Sequence, residues 1–258
     1  MYKHIPTVDM GEFAPGVSII YSGLLAHGQP AGQPQQDATA VLASEQFPDG
    51  RWGFYVHREP IQSSDFATTA LTVRLLRSYL PKERGAEAAE RIRKARTWLI
   101  SQKPQTNEDR AYRLLGLRWA GADSRQITRA AAALRATQRS DGGWSQSPAP
   151  ASGLAYTRSD AYATGEALYA LTVGGGVPTD VDCYRRGVRY LLRTQDDDGS
   201  WFVNKRARPL NTYMDAGFPH GESQFISYGA TCWATMALML AAPPQSPAPQ
   251  ATLRTAHR

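Results

Sequence analysis

The sequence predicts an all-α fold of stacked helical hairpins, an α/α toroid with an inner and an outer ring of helices. Three observations carry that expectation. One seven-residue loop is written three times. Amphipathic segments alternate with segments that are apolar nearly all round. The loop also returns at intervals that fit whole helix pairs, as in repeat proteins whose core forms only between neighbours. The chain has 258 residues, 42% apolar and 20% charged, a balance that allows a sizeable globular core.

The repeated loop reads Gln46-Phe47-Pro48-Asp49-Gly50-Arg51-Trp52, then Gln138-Arg139-Ser140-Asp141-Gly142-Gly143-Trp144, then Gln195-Asp196-Asp197-Asp198-Gly199-Ser200-Trp201. A Gln amide has donors and an acceptor, so it can satisfy the open carbonyls where a helix stops while pairing with the next turn. Asp-Gly supplies the reversal through positive φ, and the Trp covers the junction with a large ring. The loop thus acts as a clasp between units. Only Asp198 of the third copy matches Asp49 and Asp141 before the Gly, so Asp196 and Asp197 read as solvent-facing neighbours.

Taken in order, residues 1–15 form an irregular arm, 16–242 the repeat domain and 243–258 a disordered Pro- and Ala-rich tail. An inner helix over residues 16–27 ends at Gly28 and Pro30, and an outer helix over 35–46 runs into the first clasp. After a loop with Tyr55, His57, Arg58 and Glu59, Ser64 is placed to cap a helix over 66–79, which Pro81 breaks. Residues 84–101 carry Ala89, Ile92, Ala95 and Leu99 on one stripe of a surface helix. A degenerate clasp at Gln102 lacks both the Asp-Gly and the Trp. It leads into an inner helix over 108–120 and an outer helix over 124–138 with Ile127, Ala130, Ala131 and Leu134 inward. Helix 161–173 is apolar nearly all round and should be buried on most sides. An outer helix over 180–194, the third clasp, a long loop and a last apolar helix over 224–241 complete the chain. The Gln-to-Gln intervals are 56, 36 and 57 residues, the variation sitting in the loops.

The Gln-to-Trp clasp resembles the QW motif of the squalene and oxidosqualene cyclases, and of the wider α/α-toroid superfamily that includes protein prenyltransferase β subunits. Gly217-Phe218-Pro219-His220-Gly221 and Ser159-Asp160-Ala161-Tyr162-Ala163-Thr164 are similar to stretches of uncharacterised bacterial toroid-repeat proteins. The resemblance implies a terpene-cyclase-like protein that acts on, or binds, an isoprenoid in a central apolar cavity. Such relatives close their ring with more hairpins than the four outer and five inner helices counted here. An incomplete ring leaves an apolar flank exposed, which predicts self-association or a partner that completes it.

The clasps put the starts of the inner helices on one rim, where Asp65, Asp109 and Asp160 stand. A ring of carboxylates there could protonate an alkene, bind a cation or hold a metal, and crowding in an apolar mouth would raise at least one pKa toward the role of acid. An Asp at a helix start is equally a cap. Glu166 interrupts an apolar helix and shares a face with Tyr162 and Tyr169 at i−4 and i+3. Aromatic rings around an acid suit carbocation chemistry, although a buried Glu can also be a paired structural group. In a catalytic protein Asp160 or Glu166 would protonate a polyprenyl substrate, with Tyr162, Tyr169, Phe218 and Trp233 steadying the cation. The loop with Tyr213, Asp215, Phe218 and His220 is long enough to be functional, His220 as proton carrier or ligand, or to be a structural lid. The acidic DxDD motif of class II cyclases does not stand at Asp65, Asp109 or Asp160.

No cofactor is expected, and no metal: Asp182-Cys183 is poorly spaced for zinc, and Cys183 and Cys232 form no CxxC. The net charge of +6 is spread over outward helix faces, as at Arg185, Arg186, Arg189 and Arg193, which argues against a specific nucleic-acid site and leaves room for peripheral membrane contact. No run of 18 apolar residues occurs and the N-terminus lacks signal-peptide features, so the expected address is cytoplasmic. The competing expectation is a non-catalytic scaffold that holds a protein or glycan on its concave rim.

Overall fold

A computed structural model describes residues 13–54, 64–147, 158–206 and 214–242. Within them nine α-helices follow one another: α1 (Phe13–Ala26), α2 (Gln33–Ser44), α3 (Asp65–Tyr79), α4 (Gly85–Ser101), α5 (Asn107–Trp119), α6 (Ser124–Arg135), α7 (Ala161–Tyr169), α8 (Asp182–Arg193) and α9 (Gln224–Ala241). The odd-numbered helices are the inner ones. α1 packs on α3, α3 on α5, α5 on α7 and α7 on α9, while α2, α4, α6 and α8 each lie outside, against the two inner helices that flank them in sequence. The packing partners of α1 are α2 and α3, and those of α9 are α7, α8 and the short turn Gly221–Ser223. Among the described residues the inner row is therefore an arc rather than a closed ring.

The helices end where their sequences dictate. Ser64 caps α3 by accepting from the Ala67 N–H, as expected. α6 stops at Arg135, three residues before the expected end, because Ala136 to Gln138 already turn into the clasp. α7 ends at Tyr169 and continues as a π turn, Ala170–Gly174, in which the Gly175 N–H reaches back to Ala170 O at 3.0 Å. Such widened turns re-aim the side chains beside them, and here Tyr169 stands directly before one.

The clasps explain how the layers lock. In all three the indole N–H of the Trp donates to a carbonyl in the last turn of the preceding outer helix: Trp52 to Leu42 O (2.6 Å), Trp144 to Leu134 O (3.0 Å) and Trp201 to Leu191 O (2.9 Å). The Trp backbone N–H takes a Thr hydroxyl from the following inner helix, Thr69, Thr164 or Thr231, at 3.0 to 3.1 Å. The expectation that the Gln satisfies the helix end is thus corrected. A buried indole must find an acceptor, and the helix-end carbonyl is the one within its reach. The Gln amide instead bridges two other carbonyls. Gln46 Nε2 donates to Gly50 O (2.8 Å) and to Arg91 O of α4 (2.9 Å), and Gln138 Nε2 to Gly142 O (2.9 Å) and Cys183 O of α8 (2.7 Å). Each complete clasp ties one outer helix to the next.

Candidate functional site

The inner wall of the arc gathers its aromatic residues around Trp233. Gly165 makes this possible: a Cβ there would stand 2.5 Å from the Trp233 carbonyl carbon and 2.6 Å from the Ala234 nitrogen, so α7 and α9 approach to backbone contact. That approach sets the Trp233 ring edge-on to three tyrosines, with centroids 5.4 Å from Tyr169, 6.4 Å from Tyr112 and 6.5 Å from Tyr162. Tyr112 of α5, Tyr169 and Trp233 are half-buried, so the cup keeps part of its π surface open. Burial first, then the negative field of Glu166 and Glu108, pushes the Tyr112 phenol well above its ordinary range. For Tyr162 burial and the same two carboxylates have the same effect. Both therefore keep their hydroxyl protons.

Glu166 lies one helical turn from both α7 tyrosines and is fully buried. Its Oε2 accepts from Asn107 Nδ2 at 2.8 Å, and Oε1 has no hydrogen-bond partner among the described residues. Asn107 opens α5 and is fixed there, its N–H donating to Gln146 O (2.9 Å) and its second amide hydrogen to Ala163 O (3.1 Å). Desolvation pushes the Glu166 carboxyl up to about 8, against the pull of the Asn107 hydrogen bond and with help from the fields of Asp160 and Asp109. At neutral pH Glu166 carries its proton.

The three rim aspartates do not form the open ring that their positions suggest. Asp65 belongs to the first clasp, where its Oδ2 takes Arg51 Nε at 2.9 Å and its Oδ1 takes the Phe54 N–H at 3.1 Å. Asp109 closes a capping box with Thr106 and also accepts from Gln105 N (2.9 Å) and Ser64 Oγ (2.8 Å). Asp160 caps α7 through the Ala163 N–H (2.8 Å) and is ion-paired with the buried Arg206. Burial raises its pKa while Arg206 draws it back. Asp109 and Asp160 are held by capping, because a short carboxylate at a helix start meets free N–H groups first, whereas Asp65 is held by Arg51 and the Phe54 N–H while Ser64 caps α3. Asp160 and Asp109 still act on Glu166 through space.

The loop residues divide. Asp215 is exposed and accepts from the Gly217 N–H in a local turn. His220 sits at positive φ (83°) beside the third clasp, with Nε2 2.7 Å from Ser200 Oγ, and packs against Phe202 and Phe218 rather than the cup. Tyr213 lies outside the described residues. Of the residues singled out in the sequence, Glu166, Tyr162, Tyr169 and Trp233 come together. Asn107, Glu108 and Tyr112 join them without having been singled out, although Glu108 and Tyr112 stand four apart on the inner helix that faces α7. A cavity of about 670 Å³ lies elsewhere, between the end of α3 and α4, lined by Leu76, Leu80, Ile92 and Arg96 among others, and holds none of these groups. Among the described residues no three His, Cys, Asp or Glu side chains converge as metal ligands, and no helix is long and apolar enough to cross a membrane.

An arc of paired helices with an aromatic inner wall around a buried acid is the architecture of an α/α-toroid protein. Residues 111–242, just over half of the chain, match the squalene-hopene cyclase C-terminal domain family, and the chain belongs to that family. The match runs from within α5 to the end of α9 and so covers Tyr112, Tyr162, Glu166, Tyr169 and Trp233, while Asn107 and Glu108 lie just before it. No curated protein matches the chain. At the level of the family, the protein is terpene-cyclase-like.

Proposed function

We propose that the protein binds an isoprenoid-like hydrocarbon against the aromatic cup and that Glu166 serves as its proton donor. The observation that carries this reading is the fully buried Glu166, its carboxyl pushed up to about 8 and its Oε1 without a hydrogen-bond partner among the described residues, one helical turn from Tyr162 and Tyr169, which meet Trp233 edge-on as Tyr112 does. The chemistry would be protonation of an electron-rich double bond. The Glu166 O–H bond breaks, a C–H bond forms, and the cationic carbon is stabilised by the π faces beside it. A carboxyl held at about 8 is reliably protonated but donates less readily than an ordinary one, so the aromatic faces must supply much of the transition-state stabilisation. Asp160, ion-paired and capping, is a positioning residue that keeps the start of α7 and the field around Glu166 in place.

The test is incubation with linear polyprenes, squalene first, followed by mass spectrometry of the extracted hydrocarbons. Isomerised or cyclised product is expected with the wild type, none with Glu166→Gln, and a reduced yield with Asp160→Asn. Turnover that both variants leave unchanged would overturn the assignment. A wild type that binds polyprene without converting it would leave a binding protein, and one that binds none would favour the reading as a scaffold.

A further inference from the structure

The third clasp is chemically intact but holds less than the other two. Gln195 Nε2 makes the bond inside its own turn, to Gly199 O at 2.9 Å, and, among the described residues, no second bond to an outer helix. The glycines repeat the contrast. A Cβ on Gly50 would meet Lys94 O of α4 at 2.7 Å, and one on Gly142 would meet Arg186 O of α8 at 2.7 Å, both glycines being buried beneath those helices. Gly199 is exposed, and among the described residues the only atom within 4 Å of its Cβ position is Gln195 Nε2 at 3.9 Å. The residue after the Trp is buried in the complete clasps, as Gly53 and Ser145, whereas Phe202 is 54% exposed.

An aromatic strip runs from this clasp to the last helix. Phe202 meets His220 edge-on (5.4 Å), His220 meets Phe218 at a tilt (6.3 Å) and Phe218 meets Tyr228 of α9 edge-on (5.5 Å). Leu192 of α8 and Phe225 of α9 are also exposed. α9 has no charged residue along its length, and its exposed positions Phe225, Tyr228, Cys232 and Met239 recur at the spacing of a helix-packing seam.

We propose that the third clasp and this strip form a docking surface for a basic amphipathic helix carried by another polypeptide. The two filled clasps define what fits. In each, the seated helix offers a backbone carbonyl to the Gln, Arg91 or Cys183, and a cation three residues later, Lys94 or Arg186. Arg186 donates to Gln138 Oε1, and Arg193, further along α8, to Asp141 O at 3.2 Å. The third clasp is the most acidic of the three, with Asp196 and Asp197 exposed beside Asp198, so its charge complements the same kind of helix. A second copy of this chain does not fit. Its edge helix α1 carries no cation, and its basic outer helices already bury their apolar stripes.

The probe is a fluorescein-labelled synthetic peptide with the sequence of residues 85–101, titrated with the whole protein and read by anisotropy, with a second peptide in which the cations are replaced by Glu. Saturable binding of the first peptide is expected, weakened about tenfold or more by Tyr228→Lys, Gln195→Ala or Asp197→Lys, the equivalent of one interfacial contact. The acidic peptide should bind at least as weakly, and Val41→Lys, on an exposed apolar residue of α2, should change nothing. Circular dichroism checks each fold, and Asp197→Lys, on an exposed turn, keeps the test decisive if Tyr228→Lys unfolds. No saturable binding, or binding that survives all three substitutions, would overturn the proposal. So would a dimer in sedimentation that Tyr228→Lys dissociates, because the occupant would then be a second copy.

Discussion

Glu166 couples the stability of the protein to pH. In the unfolded chain a Glu ionises near pH 4.3, whereas the folded carboxyl holds its proton to about 8. The folded state binds the extra proton between those values, so stability is full below the unfolded pKa and falls as pH rises through the folded one. Urea unfolding should show a loss on the order of a few kcal/mol from pH 5 to pH 8, most of it absent in Glu166→Gln, where no proton is exchanged. Equal pH dependence in the variant would contradict the burial of a neutral acid. Gly165→Ala tests the neighbouring contact, since its Cβ would meet the Trp233 backbone at 2.5 Å. It should destabilise by about 1–3 kcal/mol, as overpacking does, and weaken ligand binding by moving Trp233. At this scale Glu166, Tyr162 and Tyr169 were legible because one helix puts them on one face. Asn107 and Tyr112 were not, because they come from another helix whose rotation no single-helix periodicity reveals.

The clasp is the element that was most readable, and its parts rank by what they touch. Gln138→Ala removes two amide bonds and the partner of Arg186, while Gln195→Ala removes one exposed bond. The first should cost roughly 1–3 kcal/mol and the second less than about 1 kcal/mol in chemical denaturation. Equal losses would mean that the clasp does not tie outer helices together. Trp144→Phe, which removes the indole donor from Leu134 O while the Thr137 N–H and hydroxyl still donate to it, should cost about 1 kcal/mol. The Gln, the Asp-Gly turn and the Trp could be found from three aligned copies alone. The Thr that completes each clasp was missed because its distance from the Trp varies, 17, 20 and 30 residues, with the length of the intervening loop. The rim aspartates misled for a related reason. Helix starts were placed correctly, but whether a carboxylate there caps, pairs or faces a cavity depends on partners such as Arg51 and Arg206 that the chain brings in from elsewhere.

At the scale of the molecule, the described helices form an arc whose two end helices differ in what they leave open. α1 shows Ile19, Ile20 and Leu24, and α9 shows an aromatic and methionine seam continuous with an unfilled clasp. The all-α toroid class was written in the clasp repeats and the alternation of apolar and amphipathic segments. The openness of the arc was foreshadowed by the count of hairpins, but only the geometry at Gly199 and Gln195 tells which edge is prepared to receive a helix. The catalytic reading stands on the cup, and the cup can be tested without assuming turnover. Native mass spectrometry of the protein with squalene is the most direct measurement. The account predicts a one-to-one adduct in the wild type that is retained in Asp65→Asn and lost when Tyr169 and Trp233 are both replaced by Ala. No adduct, or one that survives the double replacement, would contradict it.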